Sequence, residues 1–219
     1  VYGDLQHIFS KMTQRRDMFK IFGQWIGQHG HNINHYLGSH YIHLVSFITG
    51  AKPLTVRATG QWGILQKSGV NSYDLIETQI EWEATNKTKF VSYHIAGWND
   101  PSETASMTYQ EMHLIGTRGH IESDQRFRGY ESTLSGQGQQ IINPYFFYLN
   151  RGIDGRLDLD GKYGFKSIKT FIQSAIAAEN GQSLASFENG LPTLRDSLDV
   201  TAILEAADQS LNNNSRIVK

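Results

Sequence analysis

The chain contains no cysteine. That excludes a disulfide framework, thiolate metal sites and a cysteine nucleophile, and it fits a reducing compartment, so a cytoplasmic location is the expectation. There is also no excess of charge. Lys+Arg 20 against Asp+Glu 21 gives a formal net charge of -1, without the basic footprint that drives phosphate binding, so nucleic acid is not an expected partner. No apolar run approaches the roughly 20 residues of a membrane span, so no membrane association is expected. Repeats and low-complexity tracts are missing too. Finally, there is no G-x-G-x-x-G between a strand and a helix: "SGQGQQ" at 135–140 lacks both flanks, so a dinucleotide fold is not expected within this chain. The first residue is Val1 rather than Met, as in a piece of a longer protein.

What is present suits one compact domain over residues 1–219, with 1–30 as a candidate interdomain segment. Apolar residues recur at three and four through Leu5, Ile8, Phe9 and Met12, then Met18, Phe19, Phe22 and Trp25, which predicts short helical pieces. A stronger helix runs from a cap at Asn32 or Asn34 to Gly50, ahead of Pro53. Beyond Pro53 the period becomes two: "LTVRATG", "YDLIETQIEWEA", "KFVSYHIAGW" and "YQEMHLIGTRGHIESD" read as strands. Short connections make them antiparallel. Residues 129–161, rich in Gly, Gln, Asn and Asp, predict a long irregular excursion. Two helices close the chain, one ending at Gly181 and one beginning at Pro192. The fold class expected is α+β: an open-faced, mostly antiparallel sheet with helices on one face.

The densest chemistry lies in "HNINHYLGSHYIHL", residues 31–44, which hold four of the nine histidines. At about 100° per residue, Ile33, Leu37, Tyr41, Leu44 and Ile48 form one stripe and Tyr36, His40, His43 and Phe47 an adjacent one. The first is a core stripe. The second is unusual against an apolar sheet, because its hydrogen-bonding rings need partners or a cavity. Three readings stay open on periodicity alone. The pairs His31/His35 and His40/His43 have metal-ligand spacing, which would suit a metal-dependent hydrolase or isomerase, although no H-E-x-x-H is present. The histidines could instead be solvated or held by backbone carbonyls. Or a cleft-lining pair could act as general acid and base.

From "NHYLGSHYIHLVSFITGAKPLTVRATG" onward the sequence resembles the C-terminal domain of the Gfo/Idh/MocA oxidoreductases, relatives of glucose-fructose oxidoreductase and inositol dehydrogenase. In that family a helix carrying D-x-G-x-H-x-x-D ends in Gly before a first strand and faces the nicotinamide. "GWNDP" after a strand, the hairpin "LIGTRGHIESD" and a last helix of the type "EAADQS" continue the likeness in the same order, over most of the chain from about Asn32. Gly38 and His40 match the family's Gly and His, whereas Tyr36 and His43 stand where the family has Asp. The resemblance implies an NAD(P)-dependent oxidoreductase acting on a sugar, sugar derivative or cyclitol hydroxyl. NAD or NADP would be bound mainly by an N-terminal domain outside this chain, no metal would be needed, and a lysine of that domain would assist. His40 inherits the acid/base role and Tyr36 a hydroxyl relay. Aspartate ionises near ~4 and tyrosine near ~10, so the exchange at Tyr36 removes a negative charge from beside His40. A non-enzymatic, ligand-sensing or protein-binding member of the family is therefore the alternative.

Further substrate contacts are expected from His43, Asn34, Trp25, Trp98, Arg126, Arg128, Asn143 and Tyr145. Arg126 and Arg128 share one face of a strand and could fork onto a carboxylate or polyol oxygen, or form a solvated ion pair. Trp98, expected in a turn with Asn99 and Asp100, and the "NPYFFY" residues Asn143 and Tyr145 suit a sugar ring and its hydroxyls, or equally core packing. Trp25 and His29 would form the other lip. His94, His113 and His120 read as sheet-face residues. An apolar open sheet face, which in this family pairs subunits, predicts a homodimer or homotetramer.

Overall fold

A computed structural model describes residues 2–22, 25–26, 30–104, 107–125, 129–142, 163–183, 185–188 and 193–219. The elements are strand β1 (Leu5–Arg15), helix α1 (Phe19–Phe22), a π-helical turn (Asn34–Gly38) running directly into α2 (Ser39–Thr49), and strands β2 (Lys52–Gln61), β3 (Leu75–Glu83), β4 (Lys89–Asp100), β5 (Thr108–Gly116), β6 (Gly119–Asp124), β7 (Gly129–Leu134) and β8 (Gly138–Ile142). Helices α3 (Tyr163–Glu179), α4 (Ala185–Glu188) and α5 (Leu198–Asn212) follow. All eight strands form one sheet in the order β2-β3-β4-β1-β5-β6-β7-β8. Neighbours are antiparallel except β1 and β4, which run parallel. The architecture is the expected α+β open sheet.

Alternation along the strands divides the sheet into two faces. Ile8, Val56, Ala58, Ile76, Ile80, Trp82, Phe90, Ala96, Trp98 and Met112 point inward and join Ile33, Leu37, Tyr41, Ile42 and Val45 of the central helix and Val200, Ile203 and Ala207 of α5 in one core. The edge strand β2 is protected at two points. Val218 pairs with Val56 through both backbone bonds, and Ser210 Oγ accepts the Ala58 amide at 2.9 Å. Both leave fewer open ladder groups on an edge that could template aggregation.

Four local expectations are corrected. Residues 5–15 form a strand at the centre of the sheet, between β4 and β5. Its inward positions include Ser10 and Gln14, both buried, so the alternation is hidden and Ile8, Phe9 and Met12 mimic a helical spacing. The polar residues are tolerated because they are paired: Thr13 donates to Asp100 at 2.7 Å and Gln14 Oε1 accepts from Trp98 Nε1 at 2.7 Å. Residues 129–142, expected to be irregular, form the β7–β8 hairpin, with Gly136 and Gly138 supplying the positive φ of its turn. Trp98, Asn99 and Asp100 end β4 and precede the turn rather than form it. The last helix also starts later than Pro192. The Asp196 carboxylate accepts the Thr193 amide and hydroxyl at 2.7 and 2.8 Å, closing a turn before Leu198.

The chain divides into two compact units, residues 1–144 with 197–219, and residues 145–196. In the second, α3 ends as expected at Gly181, whose φ is 89°. There the amides of Gly181 and Gln182 bond to the carbonyls of Ala178 and Ala177.

Candidate functional site

The central helix is built around an insertion. Asn32 Oδ1 accepts the Asn34 amide at 3.0 Å and the Asn32 carbonyl accepts the His35 amide at 3.1 Å, so Asn32 acts as the cap. The next turn, Asn34–Gly38, has π geometry, a local feature that recurs where a helix serves a site. Gly38 explains how it is accommodated. A Cβ on Gly38 would collide with the Asn34 carboxamide, and Asn34 is 1% exposed with neither carboxamide atom hydrogen-bonded among the described residues. Gly38 has helical φ of -62°, where alanine would ordinarily be preferred by about 1 kcal/mol. Here steric overlap dominates. Gly38→Ala should lower stability in urea by roughly 1–3 kcal/mol, and adding Asn34→Ala should restore most of it. Equal loss in the single and double variants would contradict this packing.

Beyond the π turn the two stripes separate. Ile33, Leu37 and Tyr41 are buried, while His40 and His43 are open to solvent and Phe47 is 76% exposed. Tyr36 is half-buried at the head of the open stripe. Its ring lies 5.7 Å from Trp25, edge to face, and 5.9 Å from Trp98. Trp25 in turn meets His31 at 5.8 Å, and His31 meets His35 at 5.6 Å. Aromatic edges thus fix the Tyr36 ring and line up the helix start. His40 and His43 make no hydrogen bond to any described residue.

Behind this wall lies a polar knot that local sequence spacing could not reveal. Asp208 of α5 accepts from Asn32 Nδ2 at 2.7 Å and stands 3.4 Å from His35 Nε2, while His35 Nδ1 lies 3.1 Å from Asn32 Oδ1. Burial holds the His35 imidazole below its ordinary pKa, the Asp208 carboxylate pulls it part of the way back, and His31 pushes it down again. The role of His35 is to tie the helix start to α5.

The expected site residues are therefore spread over different environments. Tyr36, His40 and His43 share one helix face, and Trp25, 40% exposed, touches Tyr36. Asn34 and Trp98 are closed to solvent. His29, Arg126, Arg128, Asn143 and Tyr145 lie outside the described residues. His94 faces the core, whereas His113 and His120 stand on the open face. Among the described residues no three His, Asp or Glu side chains gather as a metal-ligand set.

The chain matches no protein-family model and no curated protein. Solved structures do match. An inositol dehydrogenase homolog from Azotobacter vinelandii, complexed with NAD+, is 17% identical with a TM-score of 0.73, over 100% of this chain and 58% of that one. The scyllo-inositol dehydrogenase of Lactobacillus casei, with NAD(H) and scyllo-inositol, is 17% identical with a TM-score of 0.59, over 99% and 57%. An oxidoreductase from Agrobacterium radiobacter in complex with NAD+, L-tartaric acid and magnesium is 20% identical with a TM-score of 0.63, over 100% and 57%. At these identities the likeness is one of fold. The chain spans a little over half the length of each of these proteins.

Proposed function

We propose that this chain is the substrate-binding and catalytic C-terminal part of an NAD(P)-dependent oxidoreductase acting on a sugar, sugar derivative or cyclitol hydroxyl. The observation that carries the reading is the helix face on which the exposed His40 and His43 follow half-buried Tyr36, on a chain whose fold is shared with a little over half of several NAD-bound oxidoreductases. A nicotinamide would accept hydride from the carbinol carbon. The Gly-rich loop of residues 135–137 turns between two antiparallel strands and opens no helix, unlike a pyrophosphate-binding loop. What this chain offers is the wall for the reacting end: His40 takes the hydroxyl proton as the carbonyl forms, and Tyr36, steadied by Trp25 and Trp98, orients the hydroxyl. His43 lies one turn further on for a neighbouring hydroxyl. The test is nicotinamide reduction by the full-length protein with myo-inositol, scyllo-inositol and common hexoses. Turnover on at least one supports the reading; stoichiometric binding of a protein partner without any oxidation would favour the regulatory alternative.

The same reading extends to assembly. On the face of the sheet away from α2 and α5, Tyr93 and Ile115 are 41% and 46% exposed, with the His7 ring 5.4 Å from Tyr93 and the Phe9 ring 5.7 Å from His113. Such a patch favours a second copy over water. Sedimentation at micromolar concentration should report a dimer or tetramer, and a monomer would contradict it.

A further inference from the structure

A concavity of about 260 Å³ opens beside the helix start between residues 30–32, Trp62, the run 71–73 and the end of α5. Among the described residues its lining includes no Lys or Arg, so it lacks the fixed cation that commonly holds a phosphate or carboxylate. It does have an aromatic wall. The Trp62 and Tyr73 rings lie 4.1 Å apart, and Trp62 is 50% exposed. Hydrogen-bonding groups face it from several sides. The carboxamides of Asn71 and Asn212 bond to no described residue. Asp208 contributes the carboxylate already steadied by Asn32. Ser72 is 3% exposed, and its hydroxyl finds no partner among the described residues. A buried unpaired hydroxyl is costly unless something fills the gap.

The site is also preformed. A Cβ at Gly60 would collide with the Tyr73 ring, so glycine there seats that ring. The loop carrying Trp62 and Ser72 is locked by Asp74, whose carboxylate accepts the Ile64 and Leu65 amides at 2.8 and 2.7 Å. Gln66 closes it from the other side, donating to the Ser72 carbonyl at 2.6 Å. A rigid loop lowers the entropic cost of binding.

We infer that this concavity is a binding site for one neutral pyranose ring, its C–H face stacked on Trp62 and its hydroxyls shared among Asn71, Ser72, Asp208 and Asn212. A flat apolar face bordered by amides and a carboxylate, with no cationic group, is the chemistry that matches such a ring. The volume suits a single ring and not an oligosaccharide. The site is separate from the open stripe of His40 and His43 and does not depend on the oxidoreductase reading, since binding can be read without nicotinamide.

The experiment titrates the full-length protein, free of cofactor, with the methyl glycosides of glucose, galactose and mannose and with tetramethylammonium, followed by tryptophan fluorescence and ligand-observed NMR. Saturable binding of at least one glycoside is expected. Trp62→Ala should weaken it about tenfold, the loss of one stacking contact, and Asn212→Ala severalfold, while His40→Ala leaves it unchanged. Asn212 is exposed, so its variant keeps the test decisive if Trp62→Ala fails to fold. The inference is overturned if no glycoside binds at millimolar concentration, or if neither variant weakens binding. Equal loss in His40→Ala would place the ring in the other cleft, and preference for tetramethylammonium would make the wall a cation site.

Discussion

In the full-length protein, His40→Ala should lower turnover of the responsive polyol by about 10²–10⁴-fold, the usual contribution of a positioned general acid or base. His40 sits on the first turn after the π segment, one helical step from Tyr36, and its imidazole is open to solvent. A side chain so placed carries no part of the core, so the variant should fold normally and its circular dichroism should match the parent. Its KM should move much less than its kcat, because the proton transfer belongs to the transition state and not to ground-state binding. Tyr36→Phe makes the companion measurement. It keeps the edge-to-face contact with Trp25 and the tilted contact with Trp98 but deletes the hydroxyl, so a relay role predicts a smaller loss than at His40. A His40→Ala protein that retains full turnover would remove the catalytic reading and leave the stripe as a docking face for another polypeptide. The two outcomes are separated by a single steady-state assay.

Much of this was legible in the residues themselves. The division of the central helix into a buried and an open stripe follows from spacing, and the buried half of the expectation was met at Ile33, Leu37 and Tyr41 but not at Ile48, which is exposed while Ile42 and Val45 take the core positions. Strands β2 and β3 announced themselves because their inward positions are mostly apolar (Val56, Ala58, Ile76, Ile80, Trp82) while Arg57, Glu77, Gln79 and Glu81 point outward. Strand β1 did not, because it carries Ser10 and Gln14 inward and Phe9 outward. Its pattern makes sense only once His94, Trp98 and Thr108 supply the partners. The π turn was equally hidden, since it depends on the contact between Gly38 and Asn34 rather than on any periodicity. The pairing of His35 with Asp208, and the concavity built from three distant segments, depend on how α5 returns beside the helix start. Local propensity carries no information about that return.

His94 supplies the largest effect expected on stability. It is fully enclosed on β4, with Nδ1 2.7 Å from Ser10 Oγ and Nε2 2.8 Å from Ser92 Oγ, and Ser92 also accepts the Trp82 indole at 2.7 Å. The indole can only donate, and one neutral imidazole satisfies the remaining links by accepting at Nε2 and donating at Nδ1. A protonated ring would have to donate at both nitrogens inside the core, and burial accordingly lowers its pKa from 6.5 to about 3. The unfolded chain takes up a proton at this residue below pH 6.5 and the native chain does not. Stability from this group is thus fully present above 6.5 and is lost as the pH falls toward 3, at a limiting slope on the order of 1.4 kcal/mol per pH unit. His94→Gln can also donate at one end and accept at the other without titrating. It should cost roughly 1–3 kcal/mol at pH 7 through imperfect hydrogen bonds, yet its urea midpoint should fall less steeply between pH 6.5 and 4.5 than the parent's. Carboxylates elsewhere contribute equally to both proteins, so the difference between the two slopes isolates one proton. Parallel slopes would mean that His94 is protonated in the native core, and that Ser10 and Ser92 both accept from it.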